Sequence, residues 1–290
     1  MLAGAAALAL GALAAAVSAS GCSRPRSRPS GGAMASLGSP IGMPDKPADK
    51  PAAESDPIVV VSYNMLFAIP GDEDTLAALR SAQADIAVLQ EITRGWERAL
   101  RDRMADRYPH MLFHAGGRAE GYAVLSRWPL TEGDLLRSPV GFFPAGRVLI
   151  DTPAGRVQLF ALHLRPPVSD RSAPFGGLFT TGKDRRKEVE AYWAHADPDL
   201  PTLAAGDFNE DRSGGAVGFL REQGLTSALP AVDPDATTWR WDTPNGQIRW
   251  QLDHVMFDGR FELKSAEVIQ AGNSDHLPVV ARLRLRSRPR

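Results

Sequence analysis

Residues 58–63, Ile-Val-Val-Val-Ser-Tyr, form a short apolar run dominated by β-branched side chains, and much of the chain that follows repeats this pattern. A run of this length and make-up specifies a strand buried on both faces. Comparable runs occupy 85–90, 111–114, 122–126, 147–151, 157–163, 200–205, 251–257, 261–270 and 277–285. Helical periodicity is confined to 72–81, 94–107, 183–195 and 215–223; in the second of these Trp96, Leu100 and Met104 recur every four residues. Strands therefore outnumber helices, and several follow one another with only Gly or Pro punctuation, as at Gly116-Gly117, Pro129 and Pro153-Ala154-Gly155. That order excludes a purely parallel βαβ sheet and predicts an α/β (α+β) chain of mixed, largely antiparallel sheets with helices outside. With no internal repeat and no Pro/Gly-rich break, 58–290 is read as one domain.

The first 57 of the 290 residues do not share the pattern. Leu2 to Val17 contains only Leu, Ala, Gly and Val, the apolar length of a secretory signal and shorter than the ~20 residues of a spanning helix. The following Ala19-Ser20-Gly21-Cys22 resembles a bacterial lipobox, in which the cysteine becomes the lipidated first residue of the mature chain. The lipobox usually carries Leu where Ala19 stands, and no Lys or Arg precedes Arg24. The competing reading is a plain cleavable signal cut after Ala19. Cys22 is the only cysteine, which excludes an intramolecular disulfide and a cysteine zinc cluster, and lipidation gives an exported free thiol a purpose. Residues 1–22 are thus read as a signal with a lipobox. Residues 23–57, rich in Ser, Pro, Gly and charges of both signs, are read as a disordered linker unable to bury enough apolar surface to offset chain entropy. Either reading places the domain outside the cytoplasm, as a membrane-anchored lipoprotein of the periplasm or cell surface, or else as a secreted protein.

Of the 33 basic and 34 acidic residues, five and four lie in 23–57, leaving 28 and 30 for the domain. Without a basic surplus, a long duplex nucleic-acid footprint is not expected.

The informative feature is where the apolar runs stop. The run 59–63 ends in Asn64, 86–90 in Glu91, 159–162 in His163, and 203–206 in Asp207-Phe208-Asn209. Asn273-Ser274-Asp275-His276 immediately precedes the run 277–280, and Leu252-Asp253-His254-Val255 sets an acid inside a strand. Singly, each has an ordinary explanation as a turn former, helix cap or surface histidine. Jointly they place hard oxygen donors and imidazoles at strand ends, where sites are built on α/β scaffolds.

The succession Ser62-Tyr63-Asn64-Met65, Leu89-Gln90-Glu91, His163, Gly206-Asp207-Phe208-Asn209, Leu252-Asp253-His254 and Ser274-Asp275-His276-Leu277-Pro278 resembles the endonuclease/exonuclease/phosphatase superfamily. The resemblance runs from about Val59 to Leu283. It implies a four-layer sandwich of two mixed β-sheets flanked by helices, and metal-dependent hydrolysis of a phosphoester by in-line attack of an activated water. On that resemblance Glu91, Asn64 and Asp275 are the expected ligands of Mg2+ or Mn2+. His276 is the catalytic histidine, oriented by Asp253, and Asp207 positions or deprotonates the water. Asn209 donates to a phosphate oxygen and His163 lies near the leaving group. Whether Asp207 or His276 is the general base stays open. Arg165, two residues after His163, is a candidate phosphate contact, and His254, beside Asp253, is read as structural. Trp239, Trp241 and Trp250 are read first as core packing, with a place at the substrate edge as the alternative. The segment 165–184, with Phe175, Leu178 and Phe179, is long enough to be a functional lid. A monomer is expected. Its partners are a phosphoester substrate (nucleic acid, phospholipid headgroup or small organic phosphate) and the membrane through a lipid on Cys22. The rival from another class is a non-catalytic lipoprotein that binds an anionic ligand or partner in the same pocket.

Overall fold

The computed structural model describes residues 56–167 and 181–286. The signal, lipobox and nearly all of the linker reading, together with most of the 165–184 lid reading, lie outside the described residues. In chain order the elements are β1 (Ile58–Asn64), α1 (Glu73–Ser81), β2 (Ile86–Gln90), α2 (Arg94–Arg103), β3 (His110–His114), β4 (Tyr122–Ser126), β5 (Leu130–Leu136), β6 (Ala145–Thr152), β7 (Gly155–His163), α3 (Gly182–Trp193), β8 (Thr202–Asp207), α4 (Gly215–Glu222), β9 (Thr226–Ser227), α5 (Ala228–Val232), β10 (Trp239–Thr243), β11 (Gly246–Trp250), β12 (Asp253–Phe257), β13 (Phe261–Val268) and β14 (Val279–Leu285).

Among the described residues the strands form two six-stranded sheets, ordered β13-β14-β1-β2-β4-β3 and β5-β6-β7-β8-β12-β9, with β10 and β11 as a separate hairpin. Both large sheets are mixed: β1 is parallel to β2 but antiparallel to β14, and β7 is parallel to β8 while β8 is antiparallel to β12.

Alternation along the strands builds the layers. Val60, Ile86, Val88 and Val279 of the first sheet share a core with Val148, Leu159, Leu203 and Val255 of the second. The intervening residues of β1, Val59, Val61 and Tyr63, pack on Leu76 and Leu79 of α1 and on Trp96 and Leu100 of α2. On the far side, Phe160, Leu162 and Ala204 pack against Val189 and Tyr192 of α3 and Val217 and Leu220 of α4. This is the expected helix–sheet–sheet–helix sandwich, and it explains the uniformly apolar runs: strands covered on both faces have no solvent side. Trp96 is fully buried at the centre of one outer layer, where truncation to Ala would cost about 3–5 kcal/mol. Local signals set the helix starts. The Asp72 carboxylate accepts from Thr75 N at 2.8 Å at the start of α1, and Thr93 Oγ1 accepts from Trp96 N at 3.4 Å at the start of α2.

Three local expectations are corrected. Helix α2 ends at Arg103 rather than 107, with Met104 as its cap. Strand β5, whose sequence Leu-Thr-Glu-Gly-Asp-Leu-Leu lacks a β-branched run, was not expected, because it is an edge strand that needs no apolar second face. The tryptophans at 239, 241 and 250 are not core. They project from one face of the β10–β11 hairpin, and Trp241 is 51% exposed.

Candidate active site

Strand register brings the first half of the site together. Pairing of β7 with β8 sets His163 opposite Asp207, and pairing of β8 with β12 sets Asp207 opposite Asp253. Gly206 makes the β7–β8 approach possible. Its φ is +153°, and a Cβ there would collide with the Leu162 carbonyl. The other sheet supplies Asn64 at the end of β1, Glu91 just after β2, and Asp275 and His276 on the approach to β14.

The two halves meet on one atom. Asp207 Oδ2 lies 3.1 Å from Asn64 Nδ2, 3.5 Å from His276 Nε2 and 3.6 Å from His163 Nε2, while Oδ1 accepts from Asn209 N at 2.8 Å. Burial pushes the Asp207 carboxyl up, against the pull of the two imidazoles, and the charge of Asp253 adds to the rise.

His276 donates from Nδ1 to Asp253 Oδ2 at 2.9 Å. Burial disfavours its charged form, yet Asp253 and Asp207 together outweigh that and push it up to about 10. It is therefore an imidazolium at neutral pH, with Nε2–H turned to Asp207. Thr238 Oγ1 donates to the same Asp253 oxygen at 2.6 Å and accepts from Leu252 N and Asp253 N at 2.9 and 3.0 Å.

His163 is the opposite case. Its Nδ1 is 3.1 Å from the Ala119 carbonyl, which can only accept, so the proton sits on Nδ1 and Nε2 carries a lone pair. Burial pushes its pKa down, more than the Asp207 charge restores. The ring packs on Phe143 at 4.3 Å between centroids.

Glu91 sits in the left-handed region, φ +62°, a strained conformation for a residue with a side chain. Its Oε1 accepts from Asn64 Nδ2 at 3.1 Å and its Oε2 from Phe67 N at 2.9 Å. Burial pushes its carboxyl up, and the charge of Asp275 pushes it further the same way. Two carboxylates repelling each other are a donor set that a hard divalent cation would relieve, so Glu91 and Asp275 fit Mg2+ or Mn2+. A second acidic group, Asp207, Asp253 and His276, has ligand atoms within 4.8 Å of one another. There the His276 Nδ1 proton already occupies the space between imidazole and carboxylate, so this group fits a proton network better than an ion.

Three expected roles change. The Asn64 amide oxygen accepts from Leu66 N at 3.1 Å, and its NH2 faces Glu91 and Asp207. Asn64 thus bridges two carboxylates rather than offering oxygen to a metal, because an amide donor is the group that two neighbouring carboxylates attract. Arg165 is committed elsewhere: Nη1 donates to Asp184 Oδ2 at 2.7 Å and the guanidinium lies 4.5 Å over Phe142, so it does not present a free phosphate contact. Asn209 is buried at φ +52°, with Nδ2 donating to the Leu164 carbonyl at 2.9 Å; it braces the Asp207 loop rather than extending an amide to a phosphate.

His254 is structural, as expected. It points away from the site, with Nδ1 2.9 Å from Ser227 Oγ and Nε2 3.0 Å from the Glu210 carbonyl. Burial pushes it down to about 4.

Sequence reasoning gave no role to Thr238 or Ser274. Ser274 Oγ donates to the Asn64 carbonyl at 2.7 Å and accepts from His276 N at 3.2 Å, tying the end of β1 to the approach to β14 within one sheet. The alternation Trp239-Arg240-Trp241-Asp242 was the one available signal that a strand follows Thr238.

Several solved structures share the fold. An endonuclease/exonuclease/phosphatase from Beutenbergia cavernae DSM 12333 superposes with a TM-score of 0.65 at 23% identity, covering 81% of this chain and 73% of that one. D. rerio TDP2 complexed with a single strand DNA product gives 0.58 at 15% identity, over 79% of this chain and 99% of that one. The human Nocturnin catalytic domain with bound sulfate anion gives 0.57 at 16%, over 80% and 95%. No curated protein matches the chain in sequence. The Endonuclease/Exonuclease/phosphatase family matches residues 61–276, a span that holds every site residue from Asn64 to His276. On that match the chain belongs to the endonuclease/exonuclease/phosphatase family, whose members are phosphoester hydrolases.

Proposed function

We propose that this protein is an exported, divalent-metal-dependent hydrolase of a phosphodiester or phosphomonoester, working by in-line attack of water. The observation that carries the reading is the convergence of Asn64, His163 and His276 on Asp207 Oδ2. A carboxylate whose pKa burial has raised is suited to take a proton from water as the oxygen–phosphorus bond forms. His276, held charged by Asp253, places a fixed positive group beside that carboxylate, where it offsets negative charge building on the phosphoryl oxygens. Asn64 orients both Asp207 and Glu91 through one amide. His163, neutral, turns the lone pair of its Nε2 toward the same Asp207 oxygen and so adds a proton acceptor there. Glu91 and Asp275 would hold a divalent cation, which would supply charge shielding for the phosphate and for the departing oxygen.

The bound sulfate of the Nocturnin structure and the DNA product of the TDP2 structure support a phosphate-bearing substrate. The domain's balance of 28 basic and 30 acidic residues argues for a short contact rather than a long duplex track. For location, the lipobox-like Ala19-Ser20-Gly21-Cys22 supports a lipoprotein anchored through Cys22.

The test is hydrolysis by the purified protein of bis-p-nitrophenyl phosphate, plasmid DNA and phospholipid, with Mg2+ or Mn2+ and with EDTA. Metal-dependent turnover that disappears in His276→Ala is expected. Turnover that survives EDTA, or that is unchanged in both Glu91→Ala and His276→Ala, overturns the mechanism.

A further inference from the structure

We propose that Trp239 is a positioning residue for Asp275: its indole N–H holds one carboxylate oxygen and so presents the other to the divalent cation. This rests on the reading of Glu91 and Asp275 as the cation site.

Trp239 Nε1 lies 3.1 Å from Asp275 Oδ2. An indole N–H can only donate, so the contact holds one Asp275 oxygen and fixes the rotation of the carboxylate. The backbone around it is held by the same short segment. Arg240 N donates to the Asp275 carbonyl at 2.9 Å, Leu277 N donates to the Thr238 carbonyl at 2.7 Å, and Trp239 forms an antiparallel bridge with His276. Arg240 Nη2 adds bonds to the Gly272 and Ser274 carbonyls at 2.7 and 3.3 Å. Residues 238–240 thus lie as a splint along 272–277.

The indole is itself held in place. Its ring stacks with Trp250 across the hairpin and with Trp241 two residues along the strand, at centroid distances of 5.5 and 6.1 Å and interplanar angles of 18° and 15°. Stacking against two neighbouring rings restricts the rotation that would swing its N–H off the acid. The stacked tryptophans of the hairpin are then accounted for as neighbours that help aim this donor. Partners that orient a ligating carboxylate contribute about 10–100-fold to metal affinity.

The test is Mn2+ binding to the purified full-length protein, read as loss of the free-ion electron paramagnetic resonance signal, beside turnover measured across Mn2+ concentrations. Trp239→Phe, which keeps a ring but loses the N–H, is expected to weaken Mn2+ binding about tenfold or more. Its activity at limiting Mn2+ should fall, while kcat at saturating Mn2+ stays near wild type. Trp241→Phe keeps an aromatic ring in the stack and leaves the Trp239 N–H intact, and should bind Mn2+ as wild type does. In an Asp275→Ala background, Trp239→Phe should cause no further loss. Trp239→Tyr serves in place of the Phe variant should that protein fail to fold.

Unchanged Mn2+ affinity in Trp239→Phe overturns the proposal, as does an equal loss in Trp241→Phe or a full additional loss in Asp275→Ala. Wild-type protein that takes up no Mn2+, or Glu91→Ala that binds as tightly as wild type, overturns the cation-site reading and this proposal with it. Intact Glu91-dependent binding with an unaffected Trp239→Phe overturns the Trp239 assignment alone.

Discussion

Thr238 donates its hydroxyl to Asp253 Oδ2 at 2.6 Å, the same oxygen that takes the His276 Nδ1 proton at 2.9 Å. The hydroxyl also caps two backbone N–H groups, those of Leu252 and Asp253, and the residue is fully buried. Thr238→Val removes three hydrogen bonds at constant shape. A stability loss of about 1–3 kcal/mol is expected from the two unsatisfied donors, with turnover down about tenfold for roughly 1.4 kcal/mol of lost orientation. Thr238→Ser should restore both. Chemical denaturation and steady-state kinetics on the two variants check this; a serine variant no better than valine would refute the hydroxyl's role.

Asp253→Asn keeps the volume but removes the charge that, with Asp207, holds His276 protonated. The amide can donate as well as accept, so the imidazole loses its fixed tautomer. Turnover should fall about 10²–10⁴-fold, the usual share of a positioned acid or base, while KM changes little. A kcat within twofold of wild type would show that the dyad has been misassigned.

His254 makes acid stability predictable. Buried and neutral, it has a pKa of about 4 in the folded protein against an ordinary value near 6.5. Between those values the unfolded chain binds a proton that the folded chain does not, so stability falls as pH drops through this window and levels off below pH 4. The contribution is roughly 3 kcal/mol, at about 1.4 kcal/mol per pH unit. Urea unfolding from pH 7 to 4 should show a decline that is shallower by about that amount in His254→Gln. Parallel profiles for the two proteins would remove His254 as the cause.

At the other end of the chain, Cys22→Ser should shift the protein from the membrane fraction to the soluble fraction if the lipobox reading is right. Membrane retention of the serine variant would point to an uncleaved apolar anchor at 2–17 instead.

The layer architecture was legible because apolar runs at 58–63, 86–90 and 157–163 leave a strand no solvent face, and only a doubly covered sheet accepts that. The site was legible as a set for a related reason: Asn64, Glu91, His163 and Asp207 interrupt runs that otherwise continue. What each residue does was less readable. The orientation of the Asn64 amide is decided by Asp207, 143 residues away, and Arg165 is claimed by Asp184 from the start of α3. The hairpin tryptophans carried a period-two pattern, but hydrophobicity alone cannot say whether such a face meets the core or braces an acid.

The strand order β13-β14-β1 seats the last strand of the domain directly against the first. Ser274 and His276 reach Asn64 and Asp207 only when that insertion is complete. During synthesis the ribosome therefore releases Asn64 and Glu91 long before the groups that complement them exist, and no truncated product holds a full set. Topology would therefore time the proposed activity: the residue set is incomplete until β14 closes the sheet against β1.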